Sequence, residues 1–249
     1  MIGIIGAMAE EVAILKSEMS VSKIEKIGRL EFILGYLVNT RVVLLQCGIG
    51  KVNAALGAAL MIERYLKYDA DRLQGSFIIN SGCAGGTNPA GTEPISFGDV
   101  VVSTSFVQHD FDLTAFGRTV GEVPGLPPIF DADKRLIEAA CRAIDALKRE
   151  GTDNTPINYV RGLIASGDVF MHDPQRIAVV QNLFPAMRAL EMEGAAIAQV
   201  CIQLQIPFVA IRALSDIAGK ESPMTFDEYL PIAAKNSSDI VRGILEVIS

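Results

Sequence analysis

The chain has no tryptophan, only two histidines and four cysteines, and no cluster of Lys and Arg. Each scarcity excludes something. His109 and His172 stand far apart, and Cys47, Cys83, Cys141 and Cys201 form no C-x-x-C pair. That spacing offers neither a zinc motif nor a disulfide framework, so reduced thiols, no metal and no cofactor are expected. Acidic residues number 29 against 22 basic ones, a net charge of −7. Nucleic acid and anionic membrane would be repelled at long range, which turns attention to a small-molecule partner. The N-terminal segment has no basic lead-in and meets Glu10 and Glu11 early, unlike a secretory signal. The best candidate for a membrane span, residues 194–211, contains Gln199, Gln203, Gln205 and Pro207, and reads as helix, turn and buried strand. A cytoplasmic location is the expectation.

What is present is a strong alternation of strands and helices over 249 residues, half of them hydrophobic. Strands are predicted at 2–6, 26–38, 41–47, 77–80, 99–107, 159–166, 189–192 and 207–214. Helices are predicted at 9–19, 50–66, 131–150, 194–204 and 227–248, with an aspartate capping the third. Residues 81–86, Ser-Gly-Cys-Ala-Gly-Gly, read as a small-residue loop, and 117–130 as an irregular one with three prolines. No repeat or long linker divides the chain. One α/β domain over residues 1–249 with a mostly buried mixed sheet is expected.

Common nucleotide and hydrolase motifs fail. Gly3-Ile4-Ile5-Gly6 carries Ile where a dinucleotide turn needs Gly, and Gly50-Lys51 has Leu45 and Val52 at the other P-loop positions. No serine sits in a G-x-S-x-G elbow. Carboxylates do gather where strands end: Glu10-Glu11, Glu191-Met192-Glu193 and Ser215-Asp216. In open α/β sheets such ends line the ligand crevice. Taken singly, Glu11 would complement a helix dipole, Asp216 would cap a helix and Met192 would fill core. Glu191 and Glu193, one residue apart, would face the same way on a strand and be costly to bury unpaired.

Seven blocks in order carry a wider similarity: Gly6-Ala7-Met8-Ala9-Glu10-Glu11, Gly48-Ile49-Gly50-Lys51-Val52-Asn53-Ala54, Val107-Gln108-His109-Asp110, Thr114-Ala115-Phe116-Gly117, Ser166-Gly167-Asp168, Glu191-Met192-Glu193-Gly194-Ala195-Ala196 and Arg212-Ala213-Leu214-Ser215-Asp216. In this arrangement the chain resembles the 5′-methylthioadenosine/S-adenosylhomocysteine nucleosidases, part of the wider purine nucleoside phosphorylase family. The resemblance implies a three-layer α/β/α fold with a central mixed sheet and hydrolysis of an adenine–ribose bond. The 5′-substituent could be methylthio, homocysteinyl, hydrogen or an aminofutalosine-like group.

By its match to these blocks, Asp216 would protonate the purine at N7 with Ser215 orienting it. Glu11 would activate water, and Glu193 would bind the ribose hydroxyls. The same resemblance gives Arg212 the acidic cluster to fix, with Glu191 beside it. Met192 and Phe170 would pack on ribose and adenine; Met8, Ile49, Cys83, Asp168, Met171 and Phe226 would complete the pocket. Family members are homodimers in which Phe116 and Pro124 cap the neighbour's 5′-site. Two departures stand out: Cys83 where serine is frequent, and Arg118 where an aromatic is frequent. Two other readings use the same fold. A phosphorylase would need Arg and backbone donors where Glu10 and Glu11 crowd the strand end, and a non-catalytic nucleoside-binding protein would have no use for all three carboxylates.

Overall fold

The computed structural model describes residues 1–66, 75–150, 158–218 and 226–248, with the side chains of Glu150, Phe226 and Asp227 outside the description. Strands are β1 (Ile2–Gly6), β2 (Ser20–Ile27), β3 (Leu30–Leu37), β4 (Thr40–Gln46), β5 (Phe77–Gly86), β6 (Val100–Gln108), β7 (Phe130–Asp131), β8 (Tyr159–Ser166), β9 (Met187–Glu191) and β10 (Phe208–Ile217). Helices are α1 (Ala9–Glu18), α2 (Lys51–Met61, followed by a π turn), α3 (Lys134–Glu150), α4 (Pro174–Leu183), α5 (Gly194–Gln203) and α6 (Phe226–Ile248). Helices α1, α3 and α6 pack together on one side of the sheet, and α2 with α5 on the other. This is the expected three-layer architecture with a mixed sheet.

The sheet runs β10-β6-β8-β9-β5-β1-β4-β3-β2, and a further β10–β5 pairing joins its first strand to its middle. Strands β5, β10, β6, β8 and β9 therefore form a closed ring, and β1, β4, β3 and β2 extend from it. Two directions meet in the ring: β5 lies parallel to β1 and β10 but antiparallel to β9. Strands β1, β4, β5 and β10 are largely buried, and their Ile, Val and Leu residues join one large core cluster.

Three elements differ from expectation. The run predicted as one strand at 26–38 is a hairpin, β2–β3, turning at Gly28 with φ +59°. Strand β2 is exposed along most of its length, so no apolar alternation announces it. The small residues 81–86 continue strand β5 instead of looping, pairing with β10 along Ser81–Gly86. Helix α4 was not predicted; Asp173 caps it by accepting from Gln175 N at 2.8 Å. The aspartate that caps α3 is Asp133, which accepts from Arg135 N. Most of the polar segment 150–158 and residues 67–74 lie outside the described residues. Among the described residues no helix is long and apolar enough to cross a membrane.

Candidate active site

A cavity of about 380 Å³ opens where β1, β5, β9 and β10 end. Its walls include Ala7, Met8 and Glu11 from the β1–α1 junction, Cys83–Gly85 from β5, Val169–Met171 after β8, Leu190–Glu193 around the end of β9, and Ser215-Asp216 from β10, with Ile49 at the mouth. The apolar members surround four carboxylates: Glu11, Glu191, Glu193 and Asp216. Among the described residues, no Lys or Arg lines it.

Glu11 lies in the first turn of α1 and is 4% exposed. Its Oε2 accepts from Ala7 N at 2.7 Å and Met8 N at 3.0 Å, and its Oε1 from Cys83 N at 3.1 Å. These three backbone donors fix the carboxylate between β1 and β5. Gly82 makes that approach possible, because a Cβ there would sit 2.6 Å from Glu11 Oε1 and 3.0 Å from Arg212 Nη1. The Cys83 Sγ lies 3.5 Å from Glu11 Oε1. Burial and the Glu11 charge push the thiol up, so it stands as a neutral, weak donor.

Across the cavity, the β5–β10 register shifts between Leu214 and Asp216. This bulge at Ser215 re-aims the strand end, and Ser215 Oγ donates to Asp216 Oδ1 at 2.9 Å.

The third group is a buried ionic cluster. Strand β9 stops at Glu191, so Glu193 stands at the N-cap of α5 and not on a strand as expected. Glu191 Oε2 pairs with Arg212 Nη2 at 2.6 Å, and the same carboxylate accepts from Glu193 N, Gly194 N and Ser166 Oγ. Burial pushes Glu191 up, but Arg212 and these hydrogen bonds outweigh it and hold it below the usual range. The same Arg212 Nη2 also donates to Asn80 Oδ1. Among the described residues no cation pairs with Glu193; its Oε1 accepts from Gly50 N at 2.8 Å. Burial and the neighbouring Glu191 charge push it up to about 7.

Other expected residues fall elsewhere. Arg212 does not line the cavity but lies beneath it. Asp168 is exposed and also off the lining; its Oδ1 accepts from Lys51 N at 2.7 Å at the start of α2. Phe116 is 81% exposed, Pro124 is exposed, and neither borders this cavity. The Phe226 side chain lies outside the described residues. Ala7, Ala84, Gly85, Val169 and Leu190 were missed as lining. The small ones carry a signal, since strand ends without bulk leave room for a flat ligand. Asn80 and Ser166 were missed as supports. Among the described residues no group of three or more His, Cys, Asp or Glu is placed to hold a metal ion.

The phosphorylase superfamily model matches residues 1–246. A curated relative from Geobacillus kaustophilus, named 5′-methylthioadenosine/S-adenosylhomocysteine nucleosidase, is 48% identical over 98% of this chain and 96% of its own. The chain belongs to that nucleosidase family. Solved members share the fold. The enzyme from Colwellia psychrerythraea in complex with adenine is 46% identical, with a TM-score of 0.86 over 99% of this chain and 95% of that one. The Neisseria meningitidis nucleosidase in complex with methylthio-immucillin-A is 41% identical, with a TM-score of 0.86 over 98% of both chains.

Proposed function

We propose that the protein hydrolyses the N-glycosidic bond of 5′-methylthioadenosine and S-adenosylhomocysteine, releasing adenine and the 5′-substituted ribose. The observation that carries this reading is the pair Glu11 and Asp216 on the walls of one nucleoside-sized, apolar cavity. Water attacks C1′ of the ribose and gives a proton to Glu11. The C1′–N9 bond breaks with its electron pair passing to the purine, and Asp216 protonates N7. Glu11 is suited to the water side because backbone donors hold both its oxygens at a fixed position. Glu193 accepts from the ribose hydroxyls, and the apolar side chains of Met8, Phe170 and Met192 receive ribose, adenine and thioether. Members of the same fold that use phosphate need cationic donors for a dianion, whereas among the described residues the lining holds four carboxylates and neither Lys nor Arg.

A homodimer belongs to the same proposal. Phe116 at 81% exposure, on a loop off its own cavity, is placed to cover a neighbour's 5′-site together with Pro124. The test is adenine release from 5′-methylthioadenosine with and without phosphate. Release of free methylthioribose, unchanged by phosphate, is expected. A phosphate requirement yielding the sugar 1-phosphate would overturn the hydrolytic assignment.

A further inference from the structure

Next to the cavity, three segments far apart in sequence close a small ring of hydrogen bonds that the proposed chemistry does not use. Lys51 Nζ lies 2.6 Å from Asp110 Oδ1, and Asp110 Oδ2 accepts from Asp168 N at 2.9 Å. Asp168 Oδ1 in turn accepts from Lys51 N at 2.7 Å, which returns to the starting residue. The ammonium also reaches Gln108 Oε1 at 3.1 Å, and Gln108 Nε2 donates to Gln199 Oε1 on α5 at 2.6 Å. The Lys51 side chain is 17% exposed and that of Asp110 29%, so the pair is partly shielded from water. This is no surface ion pair between mobile side chains, because two of the three links in the ring use backbone N–H donors.

The ring fixes the backbone at the N-terminus of α2, and the next N–H along, that of Gly50, is the one that holds Glu193 Oε1 at 2.8 Å. Gly50 has φ +97°, and a Cβ there would stand 3.1 Å from Asp168 Oδ1. The turn is thus confined on one side by the ring and tied on the other to the carboxyl proposed to receive the ribose. We infer that Lys51, with Asp110 and Asp168, is a positioning residue that sets where Glu193 meets the ribose hydroxyls. Misplacement of such an acceptor by a fraction of an ångström weakens the hydrogen bonds that discriminate ribose from deoxyribose.

The inference rests on the ribose role of Glu193, and the test separates the two. Adenine release is measured from 5′-methylthioadenosine and from its 2′-deoxy analogue, for wild type, Glu193→Gln, Lys51→Met, Lys51→Arg and Asp168→Ala. The reading is the ratio of kcat/KM for the two substrates. Lys51→Met and Asp168→Ala are expected to lower the wild-type ratio at least tenfold, with Lys51→Arg retaining most of it. Equal losses on both substrates, or an unchanged ratio in folded Lys51→Met and Asp168→Ala, would overturn the inference and leave Glu193 in place. An unchanged ratio in Glu193→Gln would overturn the ribose role of Glu193 and the inference with it. Should Lys51→Met fail to fold, Asp168→Ala decides alone, since its side chain is exposed.

Discussion

Replacing Glu193 by glutamine removes a proton equilibrium without removing the acceptor that Gly50 N–H requires. The native carboxyl titrates at about 7, because burial and then the Glu191 charge oppose its ionisation, while the ordinary value is 4.5. Below 4.5 the carboxyl is protonated in both folded and unfolded chains, and the wild type carries no penalty. As pH rises through that value the unfolded chain ionises first, so native stability falls until the folded group also ionises near 7. At roughly 1.4 kcal/mol per pH unit, the displacement costs the ligand-free wild type about 3 kcal/mol above neutrality. Glutamine carries no such cost. For a chain of this size each kcal/mol moves Tm by about 2–4 °C. Thermal unfolding of ligand-free wild type and Glu193→Gln, followed from pH 4.5 to 8.5, is the assay. The variant is expected to gain steadily on the wild type up to about pH 7. The gap should then level off at roughly 6–12 °C. A gap that is constant across this range, or that closes as pH rises, would refute the argument that Glu191 and burial hold a proton on Glu193.

Three further outcomes follow from the geometry. Asp216→Asn is expected to lower adenine release by about 10²–10⁴-fold while substrate binding by calorimetry changes little; near-wild-type turnover would remove Asp216 from the acid role. Gly82→Ala introduces a Cβ against Glu11 Oε1 and Arg212 Nη1, and should lower kcat tenfold or more. Its stability, read by urea unfolding, should fall by only about 1–3 kcal/mol, because the atoms displaced are side-chain ends. Arg212→Met leaves Glu191 buried without its cation and should cost about 3–5 kcal/mol in the same assay.

The parts of the fold that could be read from sequence are those that are mostly buried. Strands β1, β4, β6 and β8 are apolar runs bounded by turn residues, and they fall within a residue or two of expectation. Strand β2 could not be found because exposure removes its periodicity. Residues 81–86 were read as a loop because small residues signal turns. Here they are small because Glu11, Arg212 and the β10 strand approach them closely. The cavity residues Glu11, Met8, Ile49, Cys83, Phe170, Met171, Glu191, Met192, Glu193, Ser215 and Asp216 were named by motif similarity, and all of them line one space. Position along the chain could not separate Asp168 from them. Its neighbours in sequence reach the cavity, whereas its carboxylate turns to the start of α2. The Lys51 ring was equally hidden, since it exists only once the ends of β6 and β8 and the start of α2 converge.

The closed strand ring also sets an order of events during synthesis. Strand β5 pairs with β1 on one edge, but its other edge waits for β9 and β10, which are made near the end of the chain. Until then a nascent chain presents an apolar strand with an unpaired edge, the kind of surface that recruits other strands. The same late arrivals deliver Glu191, Arg212 and Asp216. The step that covers the open edge is therefore the step that completes the cavity wall. Protein caught before that step is expected to be prone to aggregate and to lack the proposed site, so the active fraction of a preparation would also count the molecules that have sealed their sheet.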